Sequence, residues 1–303
     1  MRIAFRGVRR RTGLLLEGDC GWGEFSPFPD YNAAASARWL RGAIEAATRP
    51  WPEPVRTSIP VNVTVPALAP ERAHALVAAS GCSTAKVKVG DPGDETRVEA
   101  VRDALGPGGR IRVDVNGAWS VDQATRKLRA LGRHGLEYAE QPVASVEDMA
   151  RLRRRVEVPI AADESIRLPG GPERVKSLSA ADIVVLKVNP LGGVWRCLQI
   201  AEQTGLPAVA SSALETSVGI AAGLALAAAL PDLPYACGLG TAALLEDDLV
   251  ARPLLPVDGA ITLARPEPDP ARLERCAVPG AGERRELAAR LRLAESELEA
   301  GRR

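Results

Sequence analysis

Five short apolar runs in this chain each carry a charged side chain at or near their end, and the charges come in the order Lys, Asp, Glu, Asp, Lys. The runs are Ala85–Val89 with Lys86 and Lys88, Ile111–Asn116 with Asp114, Tyr138–Pro142 with Glu140, Ile160–Glu164 with Asp163, and Ile183–Asn189 with Lys187. The steps from Lys88 to Asp114, Glu140, Asp163 and Lys187 are 26, 26, 23 and 24 residues. One strand, one helix and two loops take roughly 25–30 residues. Successive strands at that spacing form a parallel sheet whose charged residues share one end. In a (β/α) barrel that end carries the chemistry.

Three further runs extend the series to eight candidate strands, at 59–65, 85–89, 111–116, 138–141, 159–163, 183–188, 208–212 and 235–239. Helical stretches such as Glu95–Leu105, Val121–Leu131 and Val194–Gln203 separate them. The fold class expected is α/β, a (β/α) barrel of eight strands over residues 57–251. A doubly wound sheet is the weaker alternative, because no Gly-rich phosphate fingerprint follows the first strand. Residues 1–56 read differently. Ile3–Arg11, Gly13–Glu17 and Gly21–Phe25 read as short strands and Tyr31–Ala47 as a helix, and a Pro-rich stretch at 49–54 marks the boundary. After about 252 the barrel period stops, and residues 282–303 read as a charged helix. The segments 1–56 and 252–303 are therefore expected to form one α+β cap over the barrel mouth.

Composition narrows the function. A formal charge of +1 over 303 residues argues against a nucleic-acid partner or an anionic membrane surface. The longest apolar run, Ile220–Leu230, is too short to span a bilayer and reads as a buried helix. Five cysteines without a Cys-x-x-Cys pair suit reduced thiols in a cytoplasm. The two histidines, His74 and His134, fall in a helix-like segment and a loop, which leaves little room for histidine or zinc chemistry.

Side chains alternate along a strand, so Lys86 and Lys88 point into the mouth together, as do Asp114 with Asn116 and Lys187 with Asn189. Three lysines and three carboxylates would then meet. One reading is an ion-pair cluster that satisfies itself. Buried charge is costly, however, and apolar residues of similar volume usually serve stability as well. The other reading is a site for a hard divalent cation, Mg²⁺, with Asp114, Glu140 and Asp163 as oxygen ligands. The added charge leaves the mouth positive and suited to a small anionic carboxylate substrate. A partly desolvated lysine beside a cation has its pKa lowered toward acid–base use.

The ordered set Lys86-x-Lys88, Asp114-x-Asn116, Glu140-Gln141-Pro142, Asp163-Glu164-Ser165 and Leu186-Lys187-x-Asn189 resembles the muconate-lactonizing subgroup of the enolase superfamily. Gly21-Trp22-Gly23-Glu24-Phe25-Ser26-Pro27 resembles the capping segment of the same proteins. The resemblance implies a modified TIM barrel in which Asp114, Glu140 and Asp163 ligate Mg²⁺, with Mn²⁺ as a substitute. It implies that Lys88 abstracts a proton next to a carboxylate and returns it to a departing hydroxide. Lys187 would stabilise the enediolate by its charge, and Lys86 would hold the substrate carboxylate and support Lys88. Asn116 and Asn189 would orient neighbouring groups. The segments Ser211–Ser217 and Gly238–Thr241 look most like those of members that dehydrate a succinyl-bearing cyclohexadiene carboxylate. There Ser211, Ser212, Gly238, Leu239 and Gly240 would meet the succinyl end. Glu24 and Trp22 read equally as cap core.

Rival functions remain open at this point. A racemase of N-succinyl amino acids would use Lys88 and Lys187 as two bases. Dipeptide epimerases of this group carry an Asp-x-Asp pair where this chain has Cys237-Gly238-Leu239-Gly240, which counts against a dipeptide substrate. A muconate-type cycloisomerase is a third enzyme option, and a non-catalytic barrel used as a binding protein is the rival from another class.

Overall fold

A computed structural model describes residues 1–301 except Arg6. The chain begins with a hairpin, β1 (Leu14–Gly18) and β2 (Gly21–Phe25), followed by helix α1 (Ala33–Thr48). Asn32 caps α1 by accepting from Ala35 N–H at 2.9 Å. The expected strand over Ile3–Arg11 is reduced to a single bridge between Phe5 and Val8, and Arg6 lies outside the described residues. β2 packs hard against α1. A Cβ on Gly23 would sit 1.9 Å from the carbonyl oxygen of Ala43, so only glycine allows this approach.

Then follow β3 (Ser58–Pro60), β4 (Val63–Val65), α2 (Pro70–Ala78), β5 (Thr84–Lys88), α3 (Asp94–Leu105), β6 (Arg110–Asp114), α4 (Val121–Gly132) and β7 (Leu136–Glu140). The series continues with α5 (Val146–Arg153), β8 (Ile160–Ala162), a 3₁₀ turn at Glu164–Arg167, α6 (Gly171–Ser177), β9 (Ile183–Lys187) and the short α7 (Val188–Leu191). It ends with α8 (Val194–Thr204), β10 (Ala208–Ser211), α9 (Ser217–Ala229), β11 (Ala260–Thr262), α10 (Pro270–Arg275) and α11 (Ala281–Ala300). Local signals explain the helix starts. Ser120 and Gln123 form a reciprocal capping box on α4, and Ser145 caps α5. The run Ile220–Leu230 falls almost wholly within α9, which is buried nearly all round.

β4 to β10 form one curled, parallel seven-stranded sheet in sequential order. Two expectations are corrected here. The run 59–65 is two strands, because Ser58–Pro60 turns away to pair antiparallel with β11 and only Val63–Val65 joins the parallel sheet. The run 235–239 forms no strand. Its backbone instead makes single parallel bridges, Cys237 to Val61 on one side and Gly238 to Ser211 on the other. Cys237 N–H donates to Pro60 O at 2.7 Å and Gly238 N–H to Ala210 O at 2.8 Å.

Alternation along the strands sorts the side chains. Val87, Val113, Ala139, Ala162, Val184 and Ala210 face outward and join the main apolar core with the helices. The inward layer contains Tyr138, Ala161, Ile183, Val185 and Val209, so the sheet's interior is filled. Arg112 is wholly buried there. It donates to Glu137 at 2.5 Å and to Ala236 O at 2.6 Å, and stacks over Tyr138.

The C-terminal segment divides. β11 pairs with β3, and Gly259 lies against Gly81 and Cys82 just before β5, so this part packs at the strands' N-terminal end and not over the mouth. α11 instead shares an apolar cluster with β2 and α1 through Ala294 and Leu298. Arg302 and Arg303, the last residues of the expected charged helix, lie outside the described residues.

Two carboxylates dock the N-terminal segment on consecutive helices of the sheet. Glu45 of α1 accepts from Val194 N–H at 2.5 Å at the start of α8. Glu24 of β2 accepts from the N–H groups of Thr216 and Gly219 at 3.0 and 3.1 Å at the start of α9. Unpaired N–H groups and the positive end of the helix dipole favour acceptors at both places.

Candidate active site

The register aligns the charged ends of β5, β6 and β7, and Asp163 and Lys187 follow on the next strands at the same end of the sheet. Lys88 lies opposite Asp114, Asp114 opposite Glu140, and Lys187 opposite Ser211. Lys86 is one pleat lower, opposite Thr64, and its long side chain reaches up. Its Nζ donates to Asp114 at 3.0 Å and to both oxygens of Glu140 at 2.9 and 3.0 Å. Lys88 Nζ donates to Asp114 at 2.6 Å and to Asn116 Oδ1 at 2.5 Å. Lys187 Nζ donates to Asp163 at 2.6 Å.

These surroundings treat the three amines differently. Burial pulls Lys86 down, but Asp114 and Glu140 outweigh it and hold the amine well above the ordinary lysine range. Lys187 is also raised, because Asp163 outweighs burial. Lys88 is lowered. Burial and the like charge of Lys86 prevail over Asp114. Among the carboxylates, burial is outweighed at Asp114 by Lys86 and Lys88, which hold it well below the usual range. Asp163 is lowered, with Arg167 and Lys187 outweighing burial. Glu140 is pushed up to about 7 by burial and by Asp114, with Lys86 pulling the other way.

A pocket opens above this layer, walled by strand ends on one side and by the N-terminal segment on the other. Its lining includes Lys86, Lys88, Asp114, Asn116, Lys187, Ser211, Ser212 and Gly238, all foreseen in the sequence. Four cations (Lys86, Lys88, Arg167 and Lys187) face one carboxylate in that lining, which favours an anionic ligand. Glu140 and Asp163 are buried beneath it.

Three foreseen residues lie elsewhere. β9 ends at Lys187, so strand parity stops there and Asn189 falls on α7, where its amide donates to Glu215 at 3.3 Å. Leu239 is buried against Gly223 of α9, and Gly240 sits over Asn62 O and Pro256. Other pocket residues went unseen in the sequence. Phe5, Phe28 and Tyr31 come from the N-terminal segment, and Arg167 joins them by donating to Tyr31 Oη at 3.0 Å. Arg167 also pairs with Asp163 and Glu164, each at 3.0 Å. It lies four residues after Asp163, but nothing local distinguishes it from a solvated arginine. Thr64 shares the inward parity of Lys86 and was the one legible omission.

The motif residue Gln141 has a clear task. Its Oε1 accepts from Asp163 N–H at 3.1 Å and Ser165 N–H at 3.0 Å, and its amide donates to Ser165 Oγ at 2.7 Å. It ties the end of β7 to the turn that presents Asp163.

Among the described residues, no three His, Cys, Asp or Glu side chains stand close enough to form a metal cluster as they are, because amines lie between the carboxylates. The donor chemistry nevertheless fits a hard cation. Asp163 Oδ1 is buried without a hydrogen-bond partner, and burial together with Asp114 raises Glu140 to about 7, a cost of gathering carboxylates that a cation offsets.

Residues 69–270 match the model of the enolase C-terminal domain-like family, and residues 1–47 match that of the enolase N-terminal domain-like family. The chain belongs to the enolase superfamily. An o-succinylbenzoate synthase of Thermobifida fusca is 56% identical over 99% of this chain and 97% of its own length. One of Mycolicibacterium smegmatis is 52% identical over 92% of this chain and 88% of its own. Among solved structures, the muconate cycloisomerase of Pseudomonas fluorescens superposes with a TM-score of 0.74 at 23% identity, covering 87% of this chain and 92% of that one. That likeness speaks to the superfamily fold alone. Among the described residues, no helix is long and apolar enough to cross a membrane.

Proposed function

We propose that this chain carries out the o-succinylbenzoate synthase reaction: dehydration of 2-succinyl-6-hydroxy-2,4-cyclohexadiene-1-carboxylate to 2-succinylbenzoate in menaquinone biosynthesis. The observation that carries the reading is the unequal pair of lysines facing one cationic pocket, in a chain 56% identical to the Thermobifida fusca enzyme.

In this reading Lys88, the amine with the depressed pKa, is the proton acceptor. Its neutral form takes the proton from the ring carbon that bears the carboxylate. The resulting ammonium then returns that proton to the hydroxyl leaving the neighbouring carbon, so water departs and the ring becomes aromatic. Both transfers occur on one face, and Lys88 ends as it began. Lys187 stays an ammonium and faces the negative charge that develops on the carboxylate oxygens. Lys86 holds Asp114 and Glu140 in place and adds positive charge for the substrate carboxylate. Asn116 orients Lys88. Ser211, Ser212 and the Gly238 backbone receive the succinyl tail.

Asp114, Glu140 and Asp163 would hold a divalent cation, Mg²⁺ or Mn²⁺, which supplies Lewis-acid stabilisation of carboxylate charge when bound. Residues 1–56, with α11 from the 252–303 segment, act as the cap. Phe5, Phe28 and Tyr31 shield the mouth of the catalytic unit, 57–251, from water. The 235–239 segment, bridged to both sheet edges, closes the sheet as the eighth element of a barrel. The reaction belongs in the cytoplasm.

Both lysines face the pocket, so a two-base racemisation of an N-succinyl amino acid is the second reading. The opposite displacement of their pKa values favours one base. Purified protein with Mg²⁺ is offered the cyclohexadiene substrate and, separately, N-succinyl amino acids. Conversion to 2-succinylbenzoate supports dehydration. Racemisation without dehydration would replace the first reading by the second.

A further inference from the structure

Part of the pocket wall holds a backbone conformation that its own residue disfavours. Leu214 has φ of 65°, in the left-handed region that a side chain of this kind rarely enters. Such a residue persists only where its surroundings over-determine it, and these places tend to be functional. Leu214 and Ala213 both line the pocket, yet both belong to the apolar cluster of β2, α1 and α11.

Arg11, just before β1, supplies the constraint. Its Nε donates to Leu214 O at 3.2 Å and its Nη2 to Ala213 O at 3.4 Å. The same Nη2 donates to Ser26 O, and the guanidinium lies 4.2 Å from the centroid of Phe28, another pocket residue. From the other side, Glu215 accepts from Ala213 N–H at 2.6 Å. Arg11 thus fastens three pocket-lining residues, and its planar fork does so in a way one ammonium cannot.

We propose that Arg11 is a positioning residue for the succinyl tail of the substrate: by clamping the carbonyls of Ala213 and Leu214 it sets the wall of the pocket that follows β10. The identity of the tail rests on the dehydration reading, whereas the clamp itself does not. An arginine that merely glues the N-terminal segment to the sheet would lower stability on removal and leave KM unmoved in the folded fraction.

The test uses Arg11→Met and Arg11→Lys in the full chain, with two readouts. Amide hydrogen exchange followed by mass spectrometry is expected to quicken about tenfold over residues 211–219 in Arg11→Met, with the strands β5 to β9 unchanged. KM for the cyclohexadiene substrate is expected to rise about tenfold or more with kcat within about threefold, and Arg11→Lys to fall between. Unchanged exchange over 211–219 overturns the clamp. Faster exchange with an unchanged KM overturns the link to the substrate. A wild-type protein that ignores the substrate overturns the dehydration reading instead, and exchange alone then decides the clamp. If Arg11→Met does not fold, Arg11→Lys carries both readouts.

Discussion

Lys88→Ala separates proton transfer from charge stabilisation. Lys88 and Lys187 face the same pocket, but burial and Lys86 lower the first while Asp163 raises the second. At the ordinary lysine value of 10.5, about one amine in a thousand is neutral at pH 7.5, and each unit of depression multiplies that fraction about tenfold. Only Lys88 is moved in the direction that makes it a base, so kcat/KM should rise with pH through a value below the ordinary lysine range. A positioned acid–base group is worth about 10²–10⁴-fold, and this one acts twice, so Lys88→Ala should cost at least about 10⁴ in kcat/KM. Lys187→Arg keeps a positive charge but cannot place it where Nζ sits, 2.6 Å from Asp163. Its expected cost is about 10²–10³. The assay is absorbance for turnover, together with NMR of α-proton exchange in deuterated water on an N-succinyl amino acid. Lys187→Ala should still exchange one configuration of that probe, and Lys88→Ala should exchange neither. Exchange that survives Lys88→Ala and vanishes in Lys187→Ala would reverse the assignment of the base.

Chelation should abolish turnover and Mg²⁺ or Mn²⁺ restore it, and Asp163→Asn should need far more cation for half-maximal activity. Full activity in excess chelator would sink the ligand assignment. Burial raises Glu24 to about 7 against an ordinary 4.5. The folded state therefore binds this proton more tightly, so its stabilising contribution is complete below about pH 4.5 and lost as pH rises through about 7. That shift is worth about 3 kcal/mol, and denaturant unfolding at pH 5 and 7.5 should show Glu24→Gln with the flatter dependence. Identical pH dependence in the two proteins would contradict it. Gly23→Ala drives a Cβ to 1.9 Å from Ala43 O and should lower Tm by about 5 °C or more, read by calorimetry. An unchanged Tm would mean that β2 and α1 separate at little cost.

The rim of the pocket was legible because its determinants are local. Alternation along one strand tells which side chains share a face, and the βα period tells which strand ends share a level. Those two rules bring Lys86, Lys88, Asp114 and Lys187 to the pocket lining, and they include Thr64, whereas Ser211 came from the resemblance alone. They fail where a strand stops. Asn189 obeys the parity of Lys187 on paper, but the backbone turns into α7 at Val188 and carries it away. Leu239 and Gly240, named by the resemblance and not by parity, also lie off the pocket lining. The expected strand at 235–239 is only two bridges, and the 3₁₀ turn over Gly240–Leu244 begins directly after Leu239.

The remainder of the pocket depends on contacts between residues far apart in the chain, and there a single sequence is silent for a physical reason. Glu45 and Arg11 have no distinguishing signal in the sequence, and Glu24 reads there as cap core, until α8, the 213–214 turn and α9 are brought to them. Each then meets backbone groups that lack partners of their own: N–H groups at two helix starts, and carbonyls beside a left-handed leucine. Backbone groups are the same in every residue, so the partner's sequence carries no complementary signal. The strand-end charges pair largely with one another and announce themselves as a pattern. The clamps pair with the main chain and do not. On this account the chemistry of the site is written in side chains facing side chains, while the shape of its wall is set by a few charged residues holding backbone from the other side of the molecule.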